Sequence, residues 1–373
     1  MKVVVTGGGS GGHVYPAIAI ADKFSEKDPD GEIIYIGYMD GFEKNAVPKA
    51  GYELREIDTR WVDRSNPKEI FLTVHHVRKG IKQAKKILKE FKPDVVIGTG
   101  GYVCFPVIFA AHRRGIPCYI HEQNAFPGLA NRSLEKYVNK IFLGFEEGGE
   151  YFSDKSKLVT TGNPVRSAFF TADKAEARKK LGYSDKDFIV LSFGGSLGAE
   201  AINKLAMSLA EEMNGKEGQA LIFGTGRRFY DKVMEELKER GVEPGDNIRI
   251  LNYIDDMDSC IAAADLIISR AGALSVAETL VSGKPSVLVP SPNVTGNHQY
   301  FNAKAVADKG GAILIEEKDI DPEAIKEIVR GFMKEPEKLE EMGKRAAELA
   351  QGSATDKIYE EIIADQWKKT NAR

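Results

Sequence analysis

The sequence predicts an α/β protein built from two Rossmann-like, doubly wound parallel-sheet domains, and three observations predict it. Short β-branched runs alternate with longer helical patterns along all 373 residues. The runs are nearly continuously apolar, as strands are when helices cover both faces of their sheet. A strand that closes in glycines and opens a helix occurs near the start and again about half a chain later.

The first half contains the runs Lys2–Thr6, Glu32–Gly37, Asp94–Gly98, Pro117–His121 and Lys140–Gly144. The second contains Asp187–Phe193, Gln219–Gly224, Asn247–Ile254, Asp265–Ser269, Pro285–Pro290 and Ala312–Ile315. The length suits about two or three domains of ~150 residues. Asn163-Pro164 breaks secondary structure, which makes 161–166 the best linker. The expected domains are 1–163 with a C-terminal helix 354–373, and 164–353. That helix carries Ile358, Ile362 and Ile363 on one side and has no following strand to cover, so it is expected to cross back onto the first domain.

Charge and composition narrow the function. The 52 basic and 55 acidic residues leave a net charge of −3, too balanced for a protein that coats nucleic acid. No apolar run approaches the ~18 residues of a membrane-spanning helix, and Val3–Val5 is too short for a signal peptide, so a cytosolic location is expected. Cys104, Cys118 and Cys260 lack metal or disulfide spacing and read as buried apolar residues.

Four glycine turns carry the chemistry. Glycine lets the backbone approach a phosphate, and the helix end behind it supplies free N–H groups and partial positive charge. The first turn satisfies G-x-G-x-x-G at Gly7, Gly9 and Gly12, with Asp40 where a dinucleotide enzyme keeps its ribose acid. His13 would crowd a pyrophosphate there, however, and an equally good turn at 194–199 is one more than such an enzyme needs. The others are 98–102 and 270–278. In the last, Glu278 lies about a turn and a half into a helix, suited either to a ribose diol or to offsetting the helix dipole. His13, at a helix opening, is a candidate general base. His121-Glu122-Gln123-Asn124 sets four polar residues at a strand end, where a polar ligand or a hydrogen-bonded loop would satisfy them. His75-His76 has no third ligand at metal spacing and reads as structural.

These pieces together resemble one family. Residues 6–16 (Thr-Gly-Gly-Gly-Ser-Gly-Gly-His-Val-Tyr-Pro), 100–102, 121–124, 162–166, 194–199, 253–257, 270–278 and 299–303 are similar to the ordered motifs of the MurG family, from end to end. Those are the bacterial N-acetylglucosaminyltransferases that convert lipid I to lipid II in peptidoglycan synthesis. The resemblance implies a GT-B fold, two domains facing a cleft, with UDP-N-acetylglucosamine held mainly by the second. It implies that Ser196 contacts the donor phosphate, Arg166 the nucleotide, Ile254 the uracil through its backbone, and Glu278 the ribose. Ala273 and Leu274 would present N–H groups to the sugar and diphosphate, with Ser275, Val276 and Ala277 continuing that binding segment. Gln299 and Asn124 would hold the sugar, and Ser10, Gly11 and Gly12 would close over it. Tyr253 stands where the family often has Phe, and Leu197 where it commonly has Gln.

The implied reaction is inverting: the muramyl 4-hydroxyl of lipid I attacks the anomeric carbon and UDP leaves. His13 is the first candidate base, and Glu122 is the second, either as base or as an acceptor-positioning group. No Asp-x-Asp bridge is placed for a nucleotide–metal complex, so neither metal nor other cofactor is expected. Lipid I lives in the bilayer. Arg78, Lys79, Lys82, Lys85, Lys86, Lys89 and Lys92 form a basic face over the stripe Val77, Ile81, Ala84, Leu88 and Phe91, beside the apolar cluster Ile70, Phe71, Leu72 and Val74. The expectation is peripheral association with anionic lipid on the cytoplasmic side of the plasma membrane. Division and elongation proteins are the protein partners such a role implies. The competing readings are a UDP-N-acetylglucosamine epimerase, a non-catalytic nucleotide-sugar binder and an NAD-dependent dehydrogenase.

Overall fold

The computed structural model describes residues 1–38, 40–59 and 67–371, without the side chains of 67–74, 295 and 369–371. The chain divides into two compact units, Met1–Val165 with the chain from Gly352 onward, and Arg166–Gln351.

The first unit is built on seven strands: β1 (Lys2–Thr6), β2 (Glu32–Gly37), β3 (Glu53–Glu56), β4 (Val95–Gly98), β5 (Cys118–Glu122), β6 (Lys140–Leu143) and β7 (Leu158–Thr160). All pair in parallel in the order β3-β2-β1-β4-β5-β6-β7. Val4, Val96 and Ile120 face one apolar layer, and Val3, Val5, Val95 and Ile97 face the other, so both faces are covered. The order reverses between β1 and β4, where Thr6 lies opposite Gly98. In open parallel sheets, ligands bind beyond the strand ends at such a reversal. Two of the glycine turns begin there.

The second unit repeats the plan with β8 (Phe188–Phe193), β9 (Gln219–Gly224), β10 (Ile248–Leu251), β11 (Leu266–Ser269), β12 (Ser286–Leu288) and β13 (Ile313–Leu314), in the order β10-β9-β8-β11-β12-β13. Its reversal falls between β8 and β11, with Phe193 opposite Ser269, and the other two turns begin there.

Two strands escape the hydrophobic pattern. β3 reads Glu-Leu-Arg-Glu and β7 has three residues; both lie at sheet edges, where one side of the backbone needs no partner strand and burial is partial. The helix Ala354–Asn371 packs on the first unit. Ile358 and Ile362 join the layer of Val3, Val5 and Val14, and the Tyr119 hydroxyl donates to Asp365 at 2.6 Å while accepting from Gln366 at 2.6 Å.

Candidate functional site

In the first unit the two glycine turns interlock. Gly8 N–H donates to the Gly100 carbonyl at 3.3 Å. A Cβ on Gly101, whose φ is +82°, would lie 2.1 Å from the Gly8 carbonyl oxygen, so no other residue fits without moving backbone. Glu43, fully buried, accepts from Gly9 N–H at 3.3 Å and Tyr38 N–H at 3.0 Å, which fastens the first turn from outside. Ser10 caps the helix Gly11–Lys27 with no side-chain bond of its own, and the N–H groups of Gly11 and Gly12 have no acceptor among the described residues.

His13 sits in the first turn of that helix, partly exposed. Its Nδ1 lies 3.1 Å from the Thr99 carbonyl oxygen and 3.1 Å from Gln123 Oε1. A carbonyl oxygen can only accept, so in the neutral ring Nδ1 carries the proton and Nε2 carries the lone pair. Nε2 has no partner among the described residues. This is the arrangement a general base requires.

Glu122 is different. Its carboxylate is buried and accepts four hydrogen bonds, from Asn124 N–H at 3.0 Å, Asn124 Nδ2 at 3.1 Å, Gly128 N–H at 3.0 Å and Asn131 Nδ2 at 2.9 Å. Those donors occupy its lone-pair sites. Through these contacts Glu122 ties down the loop that carries Asn124. Asn131 also donates to the His121 carbonyl at 3.1 Å, and its own Oδ1 is buried without a partner among the described residues.

In the second unit, the turn 194–199 packs against the end of β9. A Cβ on Gly194 would meet Ala199 N at 2.4 Å, and one on Gly198 (φ +80°) would meet the Thr225 carbonyl at 2.1 Å. Ser196 and Leu197 project outward, exposed. Ile254 is buried with its side chain against Gly224. Arg227 stacks over the Tyr253 ring at 4.5 Å. The helix Ala273–Val281 starts at Gly272 without a side-chain cap, and the N–H groups of Leu274 and Ser275 have no acceptor among the described residues. Val276 and Ala277 are buried, and the Val276 N–H donates to the Gly272 carbonyl at 2.9 Å, which holds the helix start in place.

Glu278 has no side-chain hydrogen bond among the described residues. Burial pushes its carboxyl up from 4.5 to about 7, against the pull of Arg166 and with Asp258 adding to the rise. Arg166 itself is exposed and donates to Asp258 at 3.2 Å. Gln299 accepts from Ser291 N–H at 2.9 Å, which leaves its NH2 group available. Two supports were not read from sequence. Buried Asn302 donates to the Ala271 carbonyl at 3.2 Å, and Arg270 donates to the Val289 and Pro290 carbonyls at 3.2 and 3.1 Å. Arg270 also pairs with the Glu317 carboxylate, 47 residues on, and neither that partner nor the backbone carbonyls are named by any sequence pattern.

Elsewhere, Asp40 is exposed, and His76 pairs with Asp58 at 2.8 Å. The basic residues Arg78, Lys79, Lys82, Lys85, Lys86, Lys89 and Lys92 are exposed, while Ala84, Leu88 and Phe91 are buried. The side chains of Ile70, Phe71, Leu72 and Val74 lie outside the described residues. Among those described, no helix is long and apolar enough to cross a membrane, and no cluster of His, Cys, Asp and Glu could hold a metal.

Comparison with known proteins places this architecture. Residues 3–143 match the glycosyltransferase family 28 N-terminal domain, and residues 189–358 match the family 28 C-terminal domain. The UDP-N-acetylglucosamine–N-acetylmuramyl-(pentapeptide) pyrophosphoryl-undecaprenol N-acetylglucosamine transferase of Acetivibrio thermocellus is 43% identical over 372 residues, covering 100% of both chains. The same-named protein of Clostridioides difficile is 42% identical over 97% of this chain and 88% of its own. The crystal structure of Acinetobacter baumannii MurG superposes with a TM-score of 0.77 at 28% identity, over 97% of this chain and 99% of that one. A UDP-GlcNAc 2-epimerase from Neisseria meningitidis shares the fold, with a TM-score of 0.69 at 17% identity, covering 98% of this chain and 100% of its own. The two α/β units are thus of the GT-B type, and the chain belongs to the MurG family within glycosyltransferase family 28.

Proposed function

We propose that the chain transfers N-acetylglucosamine from UDP-N-acetylglucosamine to the 4-hydroxyl of the muramyl residue of lipid I, giving lipid II. The observation that carries this reading is end-to-end identity of 43% with a relative bearing that activity in its name. The acceptor oxygen attacks the anomeric carbon, the bond from that carbon to the diphosphate oxygen breaks, and its electron pair leaves with UDP. The hydroxyl proton passes to His13 Nε2. Configuration at the anomeric carbon inverts from α to β.

Each unit supports one part of this chemistry. In the second, the turn 194–199 with Ser196 serves the diphosphate, Leu274 and Ser275 N–H groups its oxygens, Ile254 the uracil and Glu278 the ribose diol, with Arg166 on the nucleotide and Gln299 on the sugar. Backbone N–H groups at a helix end stabilise the charge that develops on departing UDP. In the first, His13 deprotonates the acceptor, and Ser10, Gly11, Gly12 and Asn124 contact the transferred sugar. The exposed basic face of 78–92 supports peripheral binding to anionic lipid at the cytoplasmic face of the membrane, each cation contributing on the order of 1 kcal/mol.

The test is incubation with UDP-N-acetylglucosamine, with and without a short-chain lipid I analogue, following UDP release. Release that requires the acceptor supports transfer. Consumption of the donor alone would favour an epimerase and defeat the proposal.

A further inference from the structure

We propose that Gln123 is a positioning residue for His13, held by His121 in the one amide orientation that keeps the imidazole proton on Nδ1. The inference deepens the reading of His13 as the base and rests on it. Every link of the relay has a polarity that follows from a single backbone carbonyl. The Gly162 oxygen only accepts, so His121 Nε2, 2.9 Å away, carries a proton. His121 is fully buried, and burial pushes its pKa down to about 4. The ring is therefore neutral and its Nδ1 is a bare acceptor. Gln123 Nε2 lies 3.0 Å from that Nδ1 and 3.2 Å from the His121 carbonyl oxygen, and donates to both. The amide oxygen is thereby turned the other way, 3.1 Å from His13 Nδ1.

A rotated amide would aim its oxygen at two acceptors and its NH2 at His13. Gln123 is only 2% exposed, so water cannot repair those contacts. An NH2 facing Nδ1 would move the imidazole proton to Nε2 and remove the lone pair that accepts from a hydroxyl. Thr99 favours the same tautomer, but through a backbone carbonyl that no substitution alters. Among the described residues, Gln123 is the side chain through which His13's tautomer is set. The residue before Gln123 in the chain, Glu122, is engaged by Asn124, Gly128 and Asn131.

The test is ¹⁵N NMR of the full chain labelled at its six histidines, with His13 assigned from His13→Gln. The wild type is expected to show the Nδ1–H tautomer at His13. Gln123→Met removes the relay's acceptor and donor. His121→Phe, which does not touch His13, frees the amide to rotate. Both should give mixed tautomers at His13 and lower kcat by about tenfold or more, the direction expected when a catalytic imidazole is left in the wrong tautomer. KM for UDP-N-acetylglucosamine should stay within about twofold, because no donor contact changes. An Nε2–H signature in the wild type overturns the proposal even if neither variant folds. So does an unchanged His13 spectrum with unchanged kcat in a variant that melts like wild type. If His13→Gln kept full kcat, the base reading would fall, while the tautomer spectra would still decide the relay.

Discussion

Glu278→Gln should weaken nucleotide binding and stabilise the empty protein, with both effects growing as pH rises. Burial of most of the side chain, with Asp258 adding to it, pushes the wild-type carboxyl up to about 7. If only the ionised form accepts both ribose hydroxyls, affinity for uridine rises about tenfold between about pH 6 and pH 8. Uridine is the right probe because it has no phosphate to titrate. Glutamine keeps one acceptor oxygen, so about one charge-assisted hydrogen bond is lost at the upper pH, about 1.5–3 kcal/mol or roughly 10- to 150-fold in Kd. The stability effect has the opposite sign. The folded carboxyl holds its proton above the unfolded value of 4.5, so stability falls as pH rises from about 4.5 to about 7. Glutamine removes that cost. It should stabilise by up to about 3 kcal/mol at pH 8, an upper value given the side chain's partial exposure, and by nothing near pH 4. Calorimetric titration with uridine and thermal unfolding across that range measure both. Uridine affinity that is flat with pH in wild type and unchanged in the variant would mean that Glu278 does not hold the ribose.

Glu122→Gln should lower thermal stability by about 1.5–3 kcal/mol through its four donors, yet leave the acid limb of the kcat/KM profile in place, whereas His13→Gln should lower kcat by ~10²-fold or more. A moved acid limb in Glu122→Gln would identify Glu122 as the base instead. Gly101→Ala must relieve a 2.1 Å approach to the Gly8 carbonyl at positive φ, and should cost about 1–3 kcal/mol in urea unfolding; no loss would mean the turns do not interlock. Reversing charge at Lys82, Lys85 and Lys89 should reduce sedimentation with anionic vesicles, each position contributing on the order of 1 kcal/mol, and unchanged sedimentation would dismiss the basic face.

The fold class was legible because both sheets are covered on both faces, so their central strands are uninterrupted apolar runs closed by glycines. The edge strands β3 and β7 were not, since an edge needs neither length nor continuous hydrophobicity. At the candidate site, the glycine turns and His13 stood out because their residue types serve no common packing purpose. Their electrostatics did not. The tautomer of His13 depends on Thr99 and Gln123, 86 and 110 residues away, and the proton affinity of Glu278 depends on a burial that only packing reveals. Glu122 shows the converse. In sequence it resembles a free carboxylate beside His121, but its partners Gly128 and Asn131 lie on the following loop and helix and leave it no vacant lone pair.

The most direct measurement is the anomeric configuration of the linkage formed on a short-chain lipid I analogue, read from the ¹H coupling at the new anomeric proton. A single β-linked product is expected, from the large coupling of a trans-diaxial pair, and its formation should collapse in His13→Gln. An α linkage, or a donor returned as its 2-epimer with the acceptor untouched, would contradict in-line attack by a hydroxyl that His13 deprotonates.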